Sequence, residues 1–78
     1  MKSIYVQIKL FATLSKYMPA ASDHYPLSPG MTAGELAVHL KLPANQVKLI
    51  FINGRKCPPD TVLKETDRIG IFPPVGGG

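Results

Sequence analysis

Odd and even positions behave differently over the first ten residues. Ile4, Val6, Ile8 and Leu10 are apolar and alternate with Tyr5, Gln7 and Lys9. A period of two predicts a strand with one buried face. From Phe11 to Met18 the alternation stops, and Leu14 and Met18 suggest one short helical turn, which Pro19 ends. Residues 19–23, PAASD, read as a loop. The next segment, HYPLS, reads as a short edge strand, because Pro26 cannot donate a ladder hydrogen bond.

The pattern then changes period. Thr32 followed by Glu35 has the spacing of a capping box, in which a hydroxyl and a carboxylate each satisfy one free backbone N–H. Leu36, Val38 and Leu40 supply the apolar side chains of the helix it opens, with Leu36 and Leu40 on one face. Pro43 stops that helix soon after Lys41. Gly34, near its start, should cost about 1 kcal/mol relative to alanine. VKLIFING, residues 47–54, is the richest strand signal, and its Asn53-Gly54 pair suits a two-residue hairpin turn. Lys56 and Cys57 begin the return strand, and Pro58-Pro59 end it. Leu63 anchors the following loop. A last strand runs from Arg68 to Phe72, with Ile69 and Ile71 on one face.

The order is strand, strand, helix, strand, strand, strand. One helix packed across a mixed sheet of four to five strands buries these faces economically, an α+β architecture. The chain reads as one body over residues 1–72 and a glycine-rich tail over 73–78, expected to be flexible.

Composition narrows the function. At 78 residues the domain is small, and only about 60–65% of its surface is buried on folding. Cys57 is the single cysteine, so no internal disulfide forms and no zinc pair exists. No metal site is expected. The chain shows no signal-peptide pattern and no apolar run of the roughly 20 residues that a membrane span requires. A cytoplasmic location, with no membrane partner, is the expectation. Net charge is +4, yet apart from the adjacent Arg55 and Lys56 the cations are spread singly from Lys2 to Arg68 without a basic run. A solvated basic surface, with no nucleic-acid partner, is expected.

No side-chain constellation suggests autonomous catalysis. Asp23 and His24 are adjacent and point apart in an extended chain. His39 sits on the helix among apolar residues. Cys57 lacks the electropositive setting that makes a thiolate. Glu35, Asp60, Glu65 and Asp67 are scattered, and no pair is poised for proton transfer. A phosphate loop fails too, since no helix follows the glycines.

What stays unexplained is the stretch FPPVGGG, Phe72 to Gly78. A carboxylate on Gly78 would be ionised at neutral pH and a weak electrophile until joined to AMP. Glycines let a backbone enter a tight site. Pro73-Pro74 would project an extended arm. The six residues from Pro73 to Gly78 reach roughly 20 Å.

The strand order, the Asn53-Gly54 hairpin, the Leu63–Phe72 segment (LKETDRIGIF) and the closing FPPVGGG together resemble the ThiS/MoaD sulfur carriers, ubiquitin-like proteins of thiamine and molybdopterin biosynthesis. The resemblance implies a β-grasp fold and a substrate rather than a catalyst. Gly78 would be adenylated by a ubiquitin-activating-type enzyme (MoeB/ThiF-like) and converted to a thiocarboxylate. Gly76, Gly77, Pro73, Pro74 and Val75 would enter the partner's site. This chain would bind no cofactor; ATP and Mg would be used by the activating partner. The acceptor would be a MoaE-like large subunit of molybdopterin synthase or a thiazole synthase. Chain length and the long segment between the first two strands favour the MoaD-like reading. Protein modification through the same activated tail is the alternative. Docking is expected on the outer face of the third and fifth strands, near Ile50, Phe72 and Val75. Two departures from the family pattern stand out: the chain is basic, and Thr66 replaces the glycine that many relatives carry before the aspartate.

Overall fold

The computed structural model describes residues 3–74. Five strands form one sheet in the order β2-β1-β5-β3-β4. They are β1 (Ile4–Leu10), β2 (Tyr25–Leu27), β3 (Leu49–Ile52), β4 (Arg55–Lys56) and β5 (Arg68–Phe72). The central β5 runs parallel to β1, with Ile8 beside Ile69, and antiparallel to β3, with Ile50 beside Ile71. One helix, α1 (Ala33–His39), covers one face. This is the mixed sheet on one helix that the patterning predicts, in the β-grasp arrangement that the resemblance implies.

The alternation of β1 is realised directly. Val6, Ile8 and Leu10 are buried, while Gln7 and Lys9 are exposed. Ile69 and Ile71 of β5 and Ile50 and Ile52 of β3 join them, with Leu14 and Leu63 filling the ends of the core. Each fully buried aliphatic side chain here contributes about 1.5–3 kcal/mol.

The capping box forms as expected: the Glu35 N–H donates to Thr32 Oγ1 at 3.1 Å, and the Thr32 N–H to Glu35 Oε1 at 2.9 Å. The helix presents Ala33, Leu36 and Ala37 to the sheet. Val38, expected among its apolar side chains, is 75% exposed. It lies two positions from Leu36, about 200° around the helix axis. The helix ends in a Schellman motif without glycine. Lys41 takes φ +64°, its N–H donates to the Val38 carbonyl, and the Leu42 N–H donates to the Ala37 carbonyl. Leu42 is thereby carried into the core.

Val47 lies outside the third strand, contrary to the sequence reading. It ends a 3-10 turn over Ala44–Gln46, and β3 starts at Leu49. The Asn53-Gly54 turn takes the expected positive φ at both positions, +54° and +83°. No helix of the described residues is long and apolar enough to cross a membrane.

Candidate functional site

The arm leaves the sheet from β5. The Lys48 N–H donates to the Phe72 carbonyl at 2.9 Å and holds that strand's end against β3. Pro73 is buried at the margin of the body, and Pro74 is exposed. Val75, Gly76, Gly77 and Gly78, and with them the expected flexibility of the tail, lie outside the described residues.

The base of the arm sits on an aromatic cluster. Phe72 faces the side of the sheet opposite α1, as its position after Ile71 requires. Its ring stacks on Phe11, with centroids 4.1 Å apart and planes 2° from parallel. Phe51 meets it edge-on at 5.5 Å and 75°. Such offset and edge contacts are worth about 0.5–1.5 kcal/mol each beyond area burial. Gly70 makes the stack possible. A Cβ there would stand 3.3 Å from the Phe11 ring, which would have to shift by a few tenths of an ångström. Phe11, Phe51, Gly70 and Phe72, with Lys9 and Arg68, line a shallow depression of about 380 Å³.

Of the two described residues expected on the outer docking face, one lies there. Phe72 is on the outer face, but Ile50 is not. Ile50 pairs with Ile71, points under α1 and is 5% exposed. In β3 the residues facing outward are its neighbours Leu49 and Phe51. Phe11, missed in the sequence reading, continues the odd-numbered series Tyr5, Gln7, Lys9 by one step. Its N–H still pairs with the β5 residue Ile71. Extending the period of two past Leu10 is the signal that finds it.

A larger groove of about 640 Å³ lies between α1 and the β3–β4 edge, lined by Ala37, Val38, Leu42, Val47 and Cys57 among others. Its lining is mostly apolar, with Lys48 and Lys56 beside it and Cys57 as its only thiol. The Cys57 thiol is half-buried and donates to the Arg55 carbonyl at 3.4 Å. Among the described residues, no three His, Cys, Asp or Glu side chains gather as a metal cluster would require.

Three of the five carboxylates, those of Glu35, Glu65 and Asp67, hold backbone N–H groups. Asp67 accepts from Asn53 Nδ2 at 3.0 Å and from the Lys64 N–H at 2.8 Å. Asn53 Oδ1 in turn accepts from the Arg68 N–H at 3.0 Å, tying the hairpin turn to the start of β5. Glu65 accepts from the Tyr5 N–H at 3.1 Å. The His24 ring stacks on Tyr5 at 4.0 Å, and His39 meets Tyr25 edge-on at 6.0 Å. Neither histidine faces an acid or nucleophile in these contacts. These described side chains hold backbone groups or stack on neighbouring rings.

None of the curated proteins matches the chain in sequence. The fold superposes on the HVO 2177 protein of Haloferax volcanii with a TM-score of 0.75 at 22% identity, over 97% of this chain and 88% of that one. It is similar to a putative molybdopterin converting factor, subunit 1, from Pyrococcus furiosus, with a TM-score of 0.66 at 27% identity, over 94% and 100% of the two chains. The small archaeal modifier protein 1 of Methanosarcina acetivorans gives a TM-score of 0.65 at 30% identity, over the whole of both chains. The model of the ThiS family matches residues 8–78. The chain belongs to the ThiS family, with the ubiquitin-like fold of its sulfur carriers and archaeal modifiers.

Proposed function

We propose that the chain is a sulfur carrier whose reactive group is the Gly78 carboxylate. The family match running through residue 78, and so through the three glycines, supports this most directly. In this reading, residues 1–72 are the body and 73–78 the arm, with Pro74 the first residue clear of the body's surface. The arm enters an adenylating enzyme that binds ATP and Mg. There the carboxylate oxygen attacks the α-phosphate, forming an acyl-adenylate and releasing pyrophosphate. A persulfide sulfur then attacks the acyl carbon and expels AMP. A second thiol cleaves the resulting S–S bond, leaving the thiocarboxylate on Gly78 and a disulfide on the donor side. ATP and reduced thiols together place this chemistry in the cytoplasm.

The acceptor we favour is a molybdopterin precursor held by a MoaE-like subunit. The likeness to the Pyrococcus furiosus subunit supports it. The test is intact-mass spectrometry after incubation with the cognate adenylating enzyme, ATP and a persulfide donor. The expected product has gained the mass difference of sulfur for oxygen at the C-terminus, and adding the large subunit with precursor returns it to the starting mass. A chain left unmodified in the presence of active enzyme overturns the reading. A second reading, protein modification, draws on the 30% identity to the Methanosarcina acetivorans modifier. Conjugates of this chain on lysines of other proteins would support it.

A further inference from the structure

Val38 is the misfit of α1. The helix buries Ala33, Leu36 and Ala37 and leaves this one large apolar side chain in solvent. A single exposed valine is ordinary and by itself means nothing. This one stands where three depressions meet. It lines the groove of about 640 Å³ between α1 and the β3–β4 edge, a hollow of about 470 Å³ toward His39, and another of about 440 Å³ toward Pro59 and Asp60. An apolar knob therefore rises directly beside an apolar hole. At 100° per residue, Gly34 and Ala37 fall to one side of Val38, and Glu35 and His39 to the other. The charges divide the same way. The groove is lined by Lys48 and Lys56 and no carboxylate. The hollow toward Pro59 is lined by Glu35 and Asp60 and no cation. All four charged side chains are exposed.

We propose that the exposed face of α1 is a self-association surface, on which two copies of this chain pair about a two-fold axis near Val38. Each Val38 seats in the groove of the other copy, and each Lys48 faces Asp60 and Glu35 of the other copy. A two-fold interface uses the same patch twice, so whatever lies on one side of the axis meets what lies on the opposite side. A knob beside a hole, and cations opposite acids, satisfy that condition. A partner surface of a single sign would be attracted on one side of Val38 and repelled on the other. The helix is only seven residues long, so the interface falls below about 1,200 Å², in the weak and concentration-dependent class. Phe72 lies on the opposite side of the sheet, so pairing through α1 leaves the root of each arm uncovered. The pairing does not depend on the chemistry of the arm.

The experiment is sedimentation equilibrium of the full chain over a concentration series that reaches the millimolar range. The wild type should pass from monomer to dimer as concentration rises. Val38→Lys keeps a good helix former and should raise the dimer dissociation constant about tenfold or more, since two valines per dimer lose their burial. Its melting temperature in dilute solution should stay put, because the side chain is exposed in the monomer. Lys48→Glu and Asp60→Lys should each weaken self-association, the first setting acid against acid and the second cation against cation. An equimolar mixture of those two variants should restore dimers, because both crossed contacts regain opposite charges. Raising NaCl from about 0.1 M to about 1 M should weaken wild-type pairing, as the Debye length shrinks from about 10 Å to about 3 Å. A wild type that stays monomeric throughout overturns the proposal. A dimer that persists in Val38→Lys assigns association to another face and overturns it too. Single charge variants that weaken pairing but are not rescued by mixing overturn the two-fold arrangement. A monomeric wild type whose Val38 and Leu42 amide resonances shift on truncation after Pro74 assigns the groove to the chain's own arm, against pairing.

Discussion

Thr66 is the residue that most plainly opposes its own backbone. It sits at φ +67°, in the left-handed region, and threonine is branched at Cβ. An L-residue there crowds Cβ against the following carbonyl at roughly 1–2 kcal/mol, and β-branching adds to the misfit. The position is nonetheless fixed. The Thr66 N–H donates to the Tyr5 carbonyl at 2.8 Å, the Asp67 N–H donates to the Lys64 carbonyl, and the Gln7 N–H donates to the Asp67 carbonyl. These bonds lead the chain into β5 and keep the turn from relaxing. Thr66→Gly removes the clash and keeps every one of them. Against this, glycine loosens the unfolded chain by about 0.4–1 kcal/mol. The exposed Thr66 hydroxyl gives up only its bond to the Glu65 carbonyl. The net should be a stabilisation of about 0.5–1 kcal/mol. For a domain of this size that raises the melting temperature by roughly 3–6 °C. Urea unfolding followed by far-ultraviolet circular dichroism measures it, with an unchanged m-value showing that the unfolded state is comparable. Thr66→Val, which keeps the branch and loses the hydroxyl, should show no gain. A Thr66→Gly protein no more stable than wild type, or a Thr66→Val protein stabilised equally, would refute the strain argument.

Four further outcomes are expected. Gly34→Ala, which in an exposed helix would gain about 1 kcal/mol, should instead lower the melting temperature. The new Cβ would stand 3.1 Å from the Pro59 carbonyl oxygen and 3.2 Å from its Cβ, and backbone cannot easily move aside. Asn53→Gly preserves the positive φ of the turn but deletes the bonds to Asp67 and to the Arg68 N–H, and should lose about 1–2 kcal/mol in a urea melt. Cys57→Ser should leave thiocarboxylate formation unchanged by intact mass, because in the proposed chemistry the sulfur is carried on the Gly78 carbonyl carbon. Deleting Gly78 should abolish ATP–pyrophosphate exchange without moving the melting temperature, since it shifts the terminal carboxylate by about 3.3–3.6 Å along an extended arm against a reactive distance of about 3–3.5 Å.

How much of this could be read from the residues depended on whether a signal was local. The alternation of Ile4 to Leu10, the Thr32–Glu35 capping box and the Asn53-Gly54 turn each act over a few residues, and each forms as read. Ile50 was placed on the wrong face because Leu49, Ile50, Phe51 and Ile52 are all apolar. A period of two cannot show direction where both faces are hydrophobic, and only the pairing with Ile71 decides it. The C-terminal turn of α1 was hidden for a different reason. Lys41 holds a position that usually goes to glycine, so no glycine marked it. The stacking of Phe11 over Gly70 joins residues far apart in sequence through the parallel β1–β5 pairing, which no local pattern specifies. The departure at Thr66 was visible as a missing glycine; its meaning needed the backbone angle.

The placement of β5 has a consequence for how the protein comes into being on the ribosome. Of the five strands it is the last to be synthesised, yet it is the one that lies between β1 and β3. Until Arg68–Phe72 has left the exit tunnel, β1 and β3 have no common neighbour, and Ile8 and Ile50 lack the partners Ile69 and Ile71. Contacts this distant in sequence form late and slowly. A nascent or prematurely terminated chain therefore remains an unclosed sheet with exposed apolar edges, a form that chaperones and proteases recognise. Completion of the fold and emergence of the segment that leads into the arm become one event. Any chain whose Phe72 sits properly in the sheet has therefore been translated at least to the root of the arm.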